Sequence, residues 1–275
     1  MVLSDNRRFV FVHIPKNAGT TITKILMENF EAWDVEKIGG SKHKGVPQTV
    51  SQHASLKWLG FNFPEKLLHK KICFSRNPYS RMVSWWTYYR TDPKYHDDYD
   101  LARHARDMEF NEWLIKCIQR GRQEFVPQVY YISPYFKYEL PPLSQEVIMA
   151  RIGDSMKPGD PPRQESTIDI HPLRHNNFIR EKFNLGDTNN PTPIYQPIAD
   201  FVGKIENFKE DIIRMFDYLG FKNEEVYIPH VNKSKEKVDY REQYNSESVE
   251  IVQSIYRQDF EYFNYSYDLA DSSSG

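Results

Sequence analysis

The chain has 275 residues, 15% of them aromatic, with two cysteines and a formal net charge of −2. That length suits one large α/β domain spanning 1–275, and the aromatic side chains can both build its core and line a cleft. The near-neutral balance argues against a nucleic-acid-coating protein, two cysteines against a disulfide framework, and no stretch has the length of a membrane span.

The first eight residues lack the apolar core of a signal peptide. With so few cysteines, a reducing, cytoplasmic setting is the expectation, and a Golgi lumenal domain freed of its anchor is the alternative. Phe9-Val10-Phe11-Val12 has no polar alternation, which predicts a strand buried on both faces of a parallel sheet. Pro15 ends the ladder, Gly19 supplies a tight turn, and Ile22, Ile25, Leu26 and Phe30 recur at helical spacing, with Thr20 or Thr21 as the cap. A strand, a glycine-containing loop and a helix N-terminus form an anion site, because free N–H groups and the helix dipole converge there. The loop is not a Walker A sequence, since Lys16 precedes the glycine, so the lysine must enter from the strand side.

Residues 31–50 read as a surface loop and 52–60 as a short helix. Ile72-Cys73-Phe74 predicts a second buried strand, Asn77 an N-cap and Pro78 the first helical residue, which puts Arg76 at a strand's end. Met82, Val83, Trp86 and Tyr89 form the packed stripe of that helix. Ser80, Ser84 and Thr87 share another side, from which Ser84 looks back toward Arg76. A guanidinium fork with a hydroxyl suits a second phosphate. Between residues 37 and 90 there are ten Lys or Arg and one acid, Glu65, a basic block that would draw in an anionic ligand.

Residues 108–119 predict an amphipathic helix bearing Phe110, Trp113, Leu114 and Cys117. Residues 135–198, rich in Pro, Asp, Asn and Gly, read as a substrate-side insertion, from which His171, Arg174, His175 and Arg180 could contact an anionic acceptor. Beyond it come a strand over 201–205, a helix opened by a capping box of Asn207 and Glu210 and closed by Gly220, and a last helix starting at Asn245 or Ser246. No ligand-spaced Cys or His cluster supports a metal site, and no G-x-S-x-G elbow supports a serine hydrolase.

His-Ile-Pro-Lys-x-x-Gly-Thr-Thr at 13–21 and Arg-Asn-Pro-Tyr-x-Arg-x-Val-Ser at 76–84 resemble the two cofactor motifs of sulfotransferases that use 3′-phosphoadenosine 5′-phosphosulfate (PAPS). The nearer resemblance is to the carbohydrate sulfotransferases: the chondroitin and HNK-1 group, heparan sulfate 2-O-sulfotransferase and bacterial counterparts. Phe125 to Ile132 is similar to that family's Pro-Gln stretch near the acceptor cleft, 201–211 to its Val-Gly-Lys-x-Glu segment, and 255–265 to its Tyr-x-x-Asp-Phe ending.

The resemblance implies an α/β fold with a P-loop-like central parallel sheet flanked by helices. It implies that Lys16, Asn17, Ala18, Gly19, Thr20 and Thr21 hold the 5′-phosphosulfate and that Arg76 and Ser84 hold the 3′-phosphate. Asn17-Ala18 stands where many members carry Thr-Gly or Thr-Ala. The implied reaction is in-line sulfuryl transfer to a hydroxyl or amine of a glycan or small hydroxylated acceptor, leaving adenosine 3′,5′-bisphosphate. Lys16 would neutralise the leaving phosphate. His53, in the region where relatives carry the base, would take the acceptor's proton, with His13 and Glu206 as weaker rivals. A nucleotide-dependent kinase, disfavoured by the missing Gly-Lys-Ser/Thr order, and a non-catalytic glycan- or nucleotide-binding protein are the competing readings.

Overall fold

The structure, a computed structural model, describes residues 1–31, 34–37, 52–91, 100–119, 126–134, 136–137, 194–221, 226–228 and 238–271. In chain order the elements are β1 (Val2–Ser4), β2 (Phe9–Val12), α1 (Gly19–Asn29), β3 (Glu36–Lys37), α2 (Leu56–Asn62), β4 (Lys70–Ser75) and α3 (Pro78–Thr91). Then follow α4 (Asp100–Asp107), α5 (Phe110–Gln119), α6 (Gln128–Tyr131), β5 (Phe136–Lys137), β6 (Ile194–Tyr195), β7 (Phe201–Lys204), α7 (Phe208–Tyr218), α8 (Ser246–Ile255) and α9 (Arg257–Tyr262). Two compact units result. The first takes in Met1–Ser75, Gln128–Ser166 and Ile194–Lys233, and the second Arg76–Pro127, Thr167–Pro193 and Ser234–Gly275.

The first unit is built on a five-stranded sheet of order β3-β1-β2-β4-β7. Strands β2, β4 and β7 run parallel, with Phe11 beside Ile72 and Ile72 beside Phe201. β1 and β3 are antiparallel additions on the β2 side, so the sheet is mixed rather than wholly parallel. Val2-Leu3-Ser4 is too short to show a period, and β3 falls inside the segment expected to be only loop. Residues 32–33 and 38–50 of that segment lie outside the described residues.

β2 and the Ile72–Phe74 part of β4 are fully buried, as their unbroken apolar runs require. Phe9, Phe11, Ile72 and Phe74 share a core cluster with Ile22, Ile25 and Leu26 of α1 and with Ile212, Met215 and Phe216 of α7. Each such side chain, fully buried, contributes on the order of 1.5–3 kcal/mol by leaving water. α7 ends as expected at Gly220 (φ 88°), where Phe221 N–H donates to Phe216 C=O at 2.9 Å and the two rings meet edge to face at 5.6 Å. Its start differs. Asn207 makes no side-chain cap, because a short 3₁₀ turn (Ile205–Asn207) intervenes and Asp211 Oδ2 instead accepts from Lys204 N–H at 2.7 Å.

The second unit is helical and aromatic. Tyr79, Met82, Val83, Trp86 and Tyr89 of α3 are buried, as are Phe110, Trp113, Leu114 and Cys117 of α5 and Ile251, Val252 and Ile255 of α8. Val249 is only half-buried. Arg81 is buried too, with Nη1 donating to Val126 C=O at 3.1 Å. Asn245 caps α8 through a reciprocal box with Ser248.

Cys73 and Cys117 are both free and buried. Among the described residues no helix is long and apolar enough to cross a membrane, and no His, Cys, Asp and Glu cluster could hold a metal. His171, Arg174, His175 and Arg180 lie outside the described residues.

Candidate functional site

β2 ends at Val12, and its neighbour β4 runs parallel to it, so both carboxyl ends open on the same edge of the sheet. In such sheets ligands bind beyond those ends. The chain leaving β2 turns at once, with Ile14 N–H donating to Val12 C=O at 3.1 Å and Asn17 N–H to Ile14 C=O at 3.4 Å. Lys16 (φ 67°) and Ala18 (φ 52°) adopt left-handed backbone, whereas Asn17 between them does not. Such an alternation of hand is the backbone form from which anion nests are built, with Asn17 N–H itself turned to Ile14 C=O.

Ala18 is also the N-cap of α1, and no side chain caps the helix there. The first helical bond runs from Ile22 N–H to Ala18 C=O at 3.0 Å, so the N–H groups of Gly19, Thr20 and Thr21 precede the ladder. No acidic residue lies in the first turn to offset the dipole's positive end. Thr20 and Thr21 are therefore first-turn residues and not caps. Thr20 is exposed, while Thr21 and Lys16 are half-buried.

Two residues play parts other than those expected of them. Gly19 does not supply the turn's positive φ. Its role is steric, since a Cβ there would come within 1.9 Å of His13 Cδ2. Asn17 turns its side chain inward, 1% exposed, where Nδ2 donates to Phe74 C=O at 2.7 Å and to Gln128 Oε1 at 2.6 Å. Asn17 thus ties the loop to β4 and to the first turn of α6. Gln128 belongs to the Pro-Gln stretch, but nothing in its neighbourhood of the sequence announced this pairing.

His53 sits beside the base of the loop, half-buried. Its Nδ1 lies 3.0 Å from the carbonyl oxygen of His13 and its Nε2 lies 3.3 Å from Gln52 Nε2. A carbonyl only accepts, so Nδ1 carries the proton and Nε2 carries the lone pair. The His13 and His53 rings meet edge to face, with centroids 4.4 Å apart. His13 itself is buried, and burial first, then the charges of His53, the Met1 amino group and Lys37, push its pKa down to about 2. It does not titrate at working pH, which weakens it as a rival base. Glu206 is exposed in the turn after β7.

The other expected cluster lies in the second unit. Asn77 Oδ1 accepts from Tyr79 N–H at 2.9 Å and from Ser80 N–H at 3.4 Å, so it caps α3 with Pro78 in the first turn, as the sequence predicts. Arg76, half-buried, donates from Nε to Ser80 Oγ at 3.0 Å. The hydroxyl partner is thus Ser80, one turn before Ser84. Ser84 is half-buried on the same side of α3.

Residues 1–135 match the family model described as the sulfotransferase family. No curated protein and no solved structure matches the chain.

Proposed function

We propose that this protein, a sulfotransferase by the family to which its residues 1–135 belong, takes its sulfuryl group from PAPS and delivers it to a hydroxyl or amine of a carbohydrate acceptor. The observation that carries the reading is the β2–α1 loop. Two left-handed residues around Asn17 and three unladdered N–H groups at the start of α1 form a cradle for a tetrahedral anion, inside the stretch that matches the family. PAPS, when bound, supplies the sulfuryl group and departs as adenosine 3′,5′-bisphosphate.

In this reading the loop amides and Lys16 hold the phosphosulfate and offset the charge that grows on the leaving phosphate. Thr20 and Thr21 add hydroxyls at the same helix end. Arg76 grips the 3′-phosphate, with Ser80 orienting its guanidinium and Ser84 adding a hydroxyl. His53 accepts the acceptor's proton at Nε2, the nitrogen that its Nδ1 contact with the His13 carbonyl leaves basic. A glycan is the leading acceptor class because the two motifs resemble those of carbohydrate enzymes, and residues 135–198 are proposed to face it.

Calorimetry should show adenosine 3′,5′-bisphosphate binding more tightly than ATP, and labelled PAPS should pass sulfate to one acceptor in a mass-spectrometric screen of glycans and small hydroxylated molecules. Binding without transfer to any acceptor would favour the non-catalytic reading. Preference for ATP with phosphate transfer would replace the proposal with a kinase.

A further inference from the structure

His13 is 3% exposed, and its Nδ1 is buried without a hydrogen-bond partner. An imidazole kept this way costs stability that an apolar ring would not. Its ring stacks on Phe11 at 6.3 Å and 28°, meets the His53 ring at 4.4 Å and 76°, and lies so close to α1 that only glycine fits at position 19. Its carbonyl oxygen is the partner of His53 Nδ1. The loop's first helical residue, the ring of His13 and the ring of His53 are therefore in successive contact.

We infer that His13 is a positioning residue for His53. Its carbonyl holds the Nδ1–H tautomer, and its ring, admitted by the missing side chain of Gly19, fixes the imidazole plane so that Nε2 is presented as the basic nitrogen. The inference rests on the reading of His53 as the base. The groups facing His13 are the Met1 amino group just before β1, Lys37 from β3 and His53 itself, all of which disfavour a charge on its ring. His13 thus remains neutral beside His53 and adds no cation that would oppose proton uptake there. Because Gly19 opens α1, the anion loop and the base share one wedge.

The wild-type protein supplies the first test. Long-range ¹⁵N–¹H correlation spectra, with His53 assigned by comparison with His53→Ala, should show a neutral His53 protonated at Nδ1. A neutral ring protonated at Nε2 would overturn the inference. In His13→Ala, which removes the ring and keeps the carbonyl, His53 should stay protonated at Nδ1, kcat should fall by about tenfold to about a hundredfold while KM for PAPS stays within about twofold, and the acidic limb of kcat/KM should move. His13→Phe keeps a ring without a titratable nitrogen and should restore most of kcat. A folded His13→Ala protein with unchanged kcat and acidic limb sinks the positioning role, as does a His13→Phe protein no better than His13→Ala. A His53→Ala enzyme with full turnover would instead remove the base reading itself, a result distinct from the tautomer measurement.

Discussion

Asn17 and Gln128 are 111 positions apart in sequence, yet Asn17 Nδ2 donates to Gln128 Oε1 at 2.6 Å in a buried contact. The same amide group also donates to Phe74 C=O, so one side chain fastens the β2–α1 loop to β4 and to α6. Asn17→Ala would leave both acceptors without this donor. A stability loss of about 1 to 3 kcal/mol is expected, from two buried hydrogen bonds lost together. Denaturant midpoints should show it, and calorimetry should show weaker adenosine 3′,5′-bisphosphate binding in the folded fraction. Gln128→Leu should cost less, because Asn17 keeps Phe74. Equal midpoints for Asn17→Ala and wild type would mean that the loop is held by other contacts.

Lys16 acts, in the proposed reaction, on charge that appears only as the leaving phosphate departs, so Lys16→Ala should lower kcat strongly and affect ground-state binding less. The check is kcat measured beside the Kd for adenosine 3′,5′-bisphosphate. Normal kcat with weakened binding would make the residue a tether.

Arg76→Ala removes the guanidinium proposed to face the 3′-phosphate, and a loss of about 2 to 5 kcal/mol in adenosine 3′,5′-bisphosphate binding is expected. Ser84→Ala and Ser80→Ala should each lose less, and the Ser80 effect should vanish in the Arg76→Ala background if Ser80 works only by orienting the guanidinium. Additive losses at 76 and 80 would assign Ser80 a ligand contact of its own.

Acid should destabilise the fold through His13. Its folded pKa, about 2, lies below the ordinary 6.5, so above about pH 6.5 neither state binds the proton and no proton-linked cost arises. As pH falls below that, the unfolded chain takes up a proton that the folded chain refuses, and stability drops by up to about 1.4 kcal/mol per pH unit. Between about pH 6 and about pH 4.5 the loss should approach about 2 kcal/mol, and His13→Phe should remove that part of the slope. Parallel pH profiles for the two proteins would show that His13 protonates freely in the fold.

Much of this architecture is legible from residue types because burial writes itself into composition. Phe9-Val10-Phe11-Val12 and Ile72-Cys73-Phe74 have no polar residue and can only be covered strands, while Asn77-Pro78 and the Gly220 terminus follow from a missing N–H and a required positive φ. The loop itself is harder. Left-handed backbone at Lys16 and Ala18 is uncommon for such residues, so nothing in their chemistry directs the reader past Thr20 and Thr21 to the true start of α1. Gly19 invites a backbone explanation, whereas its reason is the His13 ring, visible only when β2 and α1 are docked. Asn207 and Glu210 satisfy a capping pattern that Asp211 overrides by reaching back to Lys204. Local pattern identifies the elements, and long-range contacts decide which polar group completes each junction.

The short antiparallel rung formed by Phe136–Lys137 and Ile194–Tyr195 has a bearing on how such a chain can be altered. It holds Lys137 and Ile194 side by side, so the chain that joins them leaves from and returns to adjacent strands. Closing a loop costs free energy that grows with the logarithm of its length, about 0.6 kcal/mol for each doubling. The rung is thus a graft point. A span of different length spliced between Lys137 and Ile194 should leave the β2-β4-β7 pairing in place and, with residues 135–198 proposed to face the acceptor, should change the acceptor with no change in donor affinity.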